Sequence, residues 1–388
     1  MAEAEKNMKK LRIALTTGNY NHIADGVSLT LNRLVGYLLE RGHEVKIFAP
    51  TRDPAAFVHN GDLHPVRAVS IPKRKEYLFS CGLGDASVET LRLFRPDLIH
   101  VATPDITGCQ SLLYGLRKKI PVVASYHTHF TSYFSYYNIE FIEPAVWSYL
   151  RWFYSRVEHT YVPSQSMIDT LTEQGFRQNM RIWSRGIDLQ RFNPDQRSAH
   201  WRNSQGVGEN QVLVTMVSRL VWEKEMDTLR KTYELLHSRY PDVKTMVVGD
   251  GPALQEMQQS MPDTLFTGHL QGDDLAVAYA GSDVFVFPSI SETFGNVTLE
   301  ALASGVPAVV ANAQGNKSLV RHGKHGFLVT PRQPESFASA IGTLITQSEL
   351  RSEFGVNARE FARQFTWENI LGGLENDYYT AINAYQPR

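Results

Sequence analysis

The chain has 388 residues, more than one hydrophobic core usually organises, and a prior of roughly 100–200 residues per domain predicts two domains. Apolar residues make up 43%, charged residues 20% and the formal net charge is −1, which excludes a disordered chain and removes any global electrostatic case for nucleic acid as a partner. The two cysteines, Cys81 and Cys109, lie outside any CxxC or Cys/His metal spacing and read as reduced thiols of a cytoplasmic protein.

The N-terminal MAEAEKNMKK carries charges of both signs and no apolar run, so no signal peptide is expected. No stretch approaches about 18 consecutive apolar residues, so any membrane contact is expected to be peripheral, at the inner face of the cytoplasmic membrane. LRIALTT (11–17) is a short apolar run ending in small polar residues and reads as a buried strand. A Gly-containing loop follows, then a helix with apolar residues at 31, 34, 35 and 38, Gly42 as its C′ residue, and the strand VKIFA. This β-loop-α-β unit suits a parallel crossover. It recurs: strands DLIHVA (97–102) and VVASYH (122–127) flank helix 107–119, and strand TYVPS (160–164) precedes a helix near Ser166.

The polar, irregular stretch within 186–210 predicts an interdomain linker, placed at 191–210, after a first domain of 1–190. The alternation then restarts over 211–365. Strands are expected at 212–218, 243–249, 265–268, 284–289, 308–311 and 326–329, with helices at 225–239, 252–260, 273–281, 296–304 and 333–346. A last helix from about Trp367, within 366–388, is expected to cross back to the first domain. The fold class is therefore α/β: two Rossmann-like, doubly wound parallel-sheet domains facing across a cleft, with ligands beyond the C-terminal ends of the strands.

Four motifs in the second half carry chemistry. SETFGNVTLEALASGVP follows the strand VFVFPS; Asn296 is the expected cap of the next helix and Gly295 permits a tight turn before it. The N–H groups of that helix start form an anion site. Glu292 and Glu300 flank it, and as carboxylates they suit hydroxyl groups rather than a diphosphate. A ligand anionic in the middle and hydroxylated at both ends, such as a nucleotide sugar, fits this pattern; a capping Glu and a solvated loop Glu fit it too. In SRLVWEKEMDTL (218–229), Arg219 and Lys224 occupy a strand-to-helix loop where a phosphate would dock, unless they simply pair with Glu223 and Glu225. In VVGDGP, Gly249 and Gly251 bracket a sharp turn, and LFTGHL leads to Leu270.

Taken in order, S-R-L-x4-K, G-D-G-P, F-T-G-x-L and F-P-S-x-x-E-T-F-G-N-x-x-L-E-A resemble the retaining glycosyltransferases of family 4, which have the GT-B fold. The resemblance implies that Arg219 and Lys224 hold the diphosphate, that Glu300 binds the ribose and that Glu292 faces the donor sugar. It adds Gly249, Phe294, Gly295 and Asn296 as donor contacts and Leu270 near the base. In the first half, Asp25-Gly26-Val27-Ser28 matches part of the family's Gly-rich loop, with Gly26 near the donor phosphate. SYHTHF resembles the His-Thr motif and implies a catalytic role for His127 with Glu292, His129 being a weaker candidate; GIDLQRFNP resembles the interdomain segment. The chain departs from the family's usual glycines at Ser218, at Glu225 and in Gln314-Gly315-Asn316, a loop that in the family faces the donor sugar.

No DxD-type metal motif lies near the anion site, and Asp273-Asp274 reads as helix capping, so neither a metal nor another cofactor is expected. The resemblance implies retention of configuration, by a front-face route in which the departing phosphate is the base. The aromatic stretch 130–156, with Tyr133, reads as a helical flap or an apolar groove for a lipid. The loop IPKRKEYLF, with Lys73, Arg74 and Lys75, reads as an ordinary solvated loop or a dock for anionic headgroups. The stretches TGNYNHIADGVSLTLNRL, SYHTHF and ETFGNVTLEA together resemble bacterial enzymes that glycosylate diacylglycerol-type lipids with mannosyl, glucuronosyl or sulfoquinovosyl groups. The expected partners are thus a UDP- or GDP-sugar and a lipid acceptor. The other readings are a soluble sugar or polysaccharide acceptor, a non-catalytic nucleotide-binding protein and an epimerase.

Overall fold

The computed structural model describes residues 9–71, 74–126, 142–177 and 179–387. The chain divides into two compact units, Met1–Trp183 with Leu371–Arg388, and Ser184–Ile370.

The first unit is built on a seven-stranded sheet in the order β3-β2-β1-β6-β7-β8-β9. The strands are β1 (Arg12–Thr16), β2 (Glu44–Ala49), β3 (Asp62–Pro65), β6 (Leu98–Val101), β7 (Val122–Ser125), β8 (Thr160–Val162) and β9 (Met180–Ile182), all paired in parallel. The central strands LIHV and VVAS are buried along their whole length, as a sheet covered on both faces requires. The order reverses between β1 and β6, so the loops after these strands, around 17–25 and 102–105, lie side by side; Gly18 N–H donates to Thr103 Oγ1 at 2.7 Å. The segment expected as a basic loop is instead an antiparallel hairpin, β4 (Ala68–Ile71) and β5 (Arg74–Ser80), so the backbones of Arg74 and Lys75 belong to a strand. The alternating Val69 and Phe79 pair across it, and this register explains the strand that the cluster of cations hid.

The end of the chain completes this first unit. Helix Trp367–Ala384 carries Glu375, buried at 3% exposure, and Tyr378, fully buried. Leu11 N–H donates to His43 Nδ1, which leaves His43 Nε2 as the donor to Glu375 Oε1 at 2.8 Å. The Tyr37 hydroxyl donates to the other carboxylate oxygen at 3.0 Å, and Arg41 lies 3.4 Å from it. His100 in β6 bridges the Tyr378 hydroxyl and Ser125 Oγ, each at 2.6 Å, and burial pushes its imidazole down to about 3.

The second unit holds a six-stranded parallel sheet in the order β12-β11-β10-β13-β14-β15. Its strands are β10 (Leu213–Val217), β11 (Lys244–Val248), β12 (Thr264–Gly268), β13 (Val284–Phe287), β14 (Ala308–Ala311) and β15 (Gly326–Val329). Every residue of β10, β13 and β14 is buried. The order reverses between β10 and β13, which makes the loops after those two strands the walls of the crevice where such sheets bind ligands. The stretch expected as a linker is packed into this unit. Helix Ala199–Ser204 places Arg202, 4% exposed, against Asp283 and the carbonyls of Gly281, Gly208 and Gln211.

Candidate active site

The loop after β10 runs from Ser218 to Glu225, and its path is set by the Gly-Asp-Gly turn after β11. Leu220 N–H donates to Asp250 O at 2.9 Å, and Ala253 N–H donates back to Leu220 O at 3.0 Å. Gly249 has φ +141, and a Cβ there would lie 1.8 Å from Ser218 O; at Gly251, with φ +156, it would lie 2.4 Å from Leu220 O. Both glycines are therefore required by close backbone approach. Gly249, expected as a donor contact, has a structural role and seats the segment that carries Arg219. Gly249 N–H also donates to Gly268 O at 2.8 Å, which links the turn to β12, and Leu270 beyond it is half-buried against the core.

Arg219 is exposed, and its guanidinium forms no hydrogen bond or ion pair among the described residues, while its carbonyl accepts from Ser218 Oγ at 3.0 Å and Val221 N–H at 3.1 Å. Lys224 is half-buried and pairs with Glu292 Oε1, and Ser289 Oγ donates to the same oxygen at 3.1 Å. Lys224 is thus not neutralised by its sequence neighbours, and Glu225 turns elsewhere. Glu225 has φ +60 at the start of helix Met226–Arg239, a conformation that glycine adopts at no steric cost. Its carboxylate receives Arg332 Nε at 2.9 Å and Thr228 Oγ1 at 3.3 Å, which offsets the strain of that backbone position.

The loop after β13 contains Glu292, Phe294 and Gly295. Phe294 is buried in the core and anchors the loop. Gly295, not Asn296, occupies the cap position of helix Asn296–Ala303: it has φ +100, and no side chain bonds the helix start. The left-handed conformation turns the chain so sharply that Asn296 becomes the first helical residue, exposed to solvent. The loop is held from behind by Asn316, fully buried, whose amide donates to Ser289 O at 3.0 Å and whose carbonyl accepts from Thr298 Oγ1 at 3.1 Å. Gly315 N–H donates to Glu292 O at 2.8 Å.

Glu300 lies one turn into the helix. The Tyr279 hydroxyl, fully buried, donates to Glu300 Oε2 at 2.9 Å. Burial pushes the Glu300 carboxyl up to about 7, and the Tyr279 hydrogen bond pulls it only part of the way back. Tyr279 belongs to no motif, and although Ser289 and Asn316 lie in segments the sequence singles out, their roles in holding Glu292 and its loop emerge only from the packing. Asp273 and Asp274 lie in the first turn of helix Gly272–Ala280 without capping it, and Asp273 pairs with Arg191 at 3.0 Å. No group of three or more His, Cys, Asp or Glu among the described residues could hold a metal ion.

In the first unit, Asp25 caps helix Gly26–Glu40, its Oδ1 accepting from Val27 N–H at 3.1 Å and Ser28 N–H at 2.8 Å. A Cβ on Gly26 would meet nothing within 4 Å, so the fold itself does not demand glycine there and its backbone stays open to a ligand. His22, in the preceding loop, is buried; its Nδ1–H donates to Pro50 O at 3.2 Å, Nε2 has no partner among the described residues, and burial lowers its basicity. His127, His129, Tyr133 and Lys73 lie outside the described residues.

Residues 24–191 match the family described as Glycosyltransferase Family 4, and residues 198–361 match Glycosyl transferases group 1. The chain is 31% identical over 365 residues to the sulfoquinovosyl transferase SQD2 of Arabidopsis thaliana, covering 92% of this chain and 71% of that protein. It is 27% identical over 321 residues to the alpha-monoglucosyldiacylglycerol synthase of Streptococcus pneumoniae, covering 80% of this chain and 72% of that one. Its fold matches that of sucrose-phosphate synthase from Thermosynechococcus elongatus with a TM-score of 0.74 and 20% identity, over 97% of this chain and 100% of the other. Two parallel sheets of Rossmann order, the two crevice loops of the second unit and these likenesses lead to one conclusion: the chain is a glycosyltransferase of family 4 with the GT-B fold.

Proposed function

We propose that the enzyme moves a hexose from a nucleoside diphosphate hexose to a hydroxyl of a membrane glycolipid acceptor such as diacylglycerol, with retention of configuration. The observation that carries the donor half is Arg219, whose guanidinium is exposed and has no partner among the described residues, in the same crevice loop as Lys224 and opposite the loop of Glu292 and the helix of Glu300. A diphosphate would take its charge from Arg219 and Lys224, Glu300 would accept the ribose hydroxyls, and Glu292 would accept a hydroxyl of the hexose. The role at the reacting carbon that the resemblance gives His127 falls outside the described residues and is tested by turnover of His127→Ala.

The chemistry follows from that placement. The acceptor oxygen bonds to the anomeric carbon as the carbon–phosphate oxygen bond breaks on the same face. The acceptor proton passes to the departing phosphate oxygen, so no enzyme nucleophile is needed. Two side-chain cations neutralise the leaving group, and the reading requires no metal ion. The lipid half is supported by the name of the diacylglycerol-linked relative and by the hairpin β4–β5, whose Val69 and Phe79 stand 56% and 45% exposed near Lys73, Arg74 and Lys75 in sequence. No helix among the described residues is long and apolar enough to cross a membrane, and contact at the inner membrane face would be peripheral.

The test is release of nucleoside diphosphate from a panel of UDP- and GDP-hexoses, with and without diacylglycerol vesicles and in the presence of a chelator. The expected result is turnover that depends on lipid and survives chelation. Equal turnover on soluble sugars without lipid would replace the acceptor assignment, and loss on chelation would replace the metal-free mechanism.

A further inference from the structure

Five residues other than glycine have a left-handed backbone among those described: Arg95, Lys119, Glu225, Gln314 and Arg332. Four are accounted for. Arg95 and Lys119 close helices at their C-termini, where this conformation is common. Glu225 and Arg332 are joined by their ion pair at 2.9 Å. Gln314, with φ +21, opens the short helix Gln314–Leu319 and caps nothing.

Its side chain gains nothing from the protein either. Gln314 is half-buried, and its carboxamide forms no hydrogen bond among the described residues. Its neighbour Asn316 shows the contrast, since that amide is buried and bonded at both ends. Glycine would relieve the backbone at 314. A strained residue with no internal partner points to a demand from outside the fold.

Its position says what that demand is. Gly315 N–H donates to Glu292 O at 2.8 Å, and a Cβ on Gly315 would meet Phe294 O at 2.5 Å, so the 314–315 backbone lies flat on the loop that carries Glu292. A carboxamide is uncharged, donates two hydrogen bonds and accepts two. That is the complement of a hexose hydroxyl, and it offers no counter-charge to a carboxylate or sulfonate.

We propose that Gln314 is a specificity-determining residue that reads a hydroxyl of an uncharged donor hexose beside Glu292. The assignment rests on the reading of Glu292 as the hexose contact. A site built to bond a hydroxyl discriminates against a misplaced one by a large factor, because its own polar group is then left unpaired.

The experiment compares the wild type with Gln314→Gly. It measures kcat/KM for UDP-glucose, UDP-galactose, GDP-mannose and UDP-glucuronate, Kd for UDP and GDP, and the thermal midpoint. In Gln314→Gly the preference for the best uncharged hexose over its epimer and over the uronate should fall by about tenfold or more. The Kd for UDP and GDP should stay within about twofold, and the thermal midpoint should hold or rise. Preferences unchanged in a folded, active Gln314→Gly enzyme would overturn the inference and leave the donor-site reading standing. If the wild type itself bound neither UDP nor GDP, the donor-site reading would fall and the inference with it.

Discussion

Glu300 shows how much a single carboxyl depends on where it is buried. Its spacing from Glu292 is legible in the sequence, but Tyr279, which holds it, is 21 positions away and belongs to no motif. Burial holds the Glu300 carboxyl near 7, and the ribose contact proposed for it favours the ionised form, which accepts at both oxygens. Nucleoside diphosphate affinity should therefore rise as pH increases from 6 to 8, with proton release on binding. Calorimetry in two buffers of different ionisation heat checks this, and Glu300→Gln should flatten the profile. The stability effect has its own sign. The unfolded carboxyl ionises near 4.5 and the folded one near 7, so this group's contribution is lost as pH rises through that window. Glu292 leads to a different expectation, because Lys224 is already paired with it. Glu292→Gln should free Lys224, so UDP or GDP should bind as tightly as before or tighter while turnover falls by about 10²-fold or more. A weaker Kd would show that Glu292 does not compete for that lysine.

Strands and helices were legible where burial leaves one reading. VFVF, AVVA and GFLV are continuous apolar runs, and all three are parallel strands at or within two residues of the expected limits. β9 and the β4–β5 hairpin were not, because an edge strand of three residues and a hairpin broken by cations carry little periodicity. Asn296 was misplaced as a cap because Asn suits that role by composition, whereas the positive φ of Gly295 decides it. The two turns that the resemblance names as donor contacts hold two kinds of glycine. Gly249→Ala forces a Cβ against Ser218 O and should cost about 3 kcal/mol or more, roughly 10 °C in thermal midpoint for a unit of this size. Gly26→Ala has open space, so it should leave the midpoint unchanged and lower turnover. Parallel thermal melts and rate assays separate the two, and a Gly26→Ala enzyme of full activity would end the donor-contact reading of Gly26.

Over the whole molecule the sheet architecture was readable and the fate of the polar segments was not. The stretch 191–210 looks like a linker by composition, yet buried Arg202 makes it part of the second unit's core. Burial also governs the response to acid. Among the described residues His22, His100, His159, His237 and His325 are all shifted down, chiefly by burial, with His100 near 3 and His325 near 4. Unfolded histidines protonate near 6.5, so this stability is complete above that pH and is lost as pH falls, by up to ~1.4 kcal/mol per pH unit for each deeply buried ring. Denaturant midpoints should fall from pH 7 to pH 5 despite the opposite contribution of Glu300, and a flat profile would mean the rings are not held neutral. Finally, the buried Glu375, paired with His43, Tyr37 and Arg41, has a consequence for biosynthesis. On the ribosome the first 183 residues emerge long before the helix that completes their unit, while the second unit has all its strands in one uninterrupted stretch. The early-made half must wait for the late-made segment, so a nascent chain halted before residue 371 should hold a finished second unit and an unfinished first one.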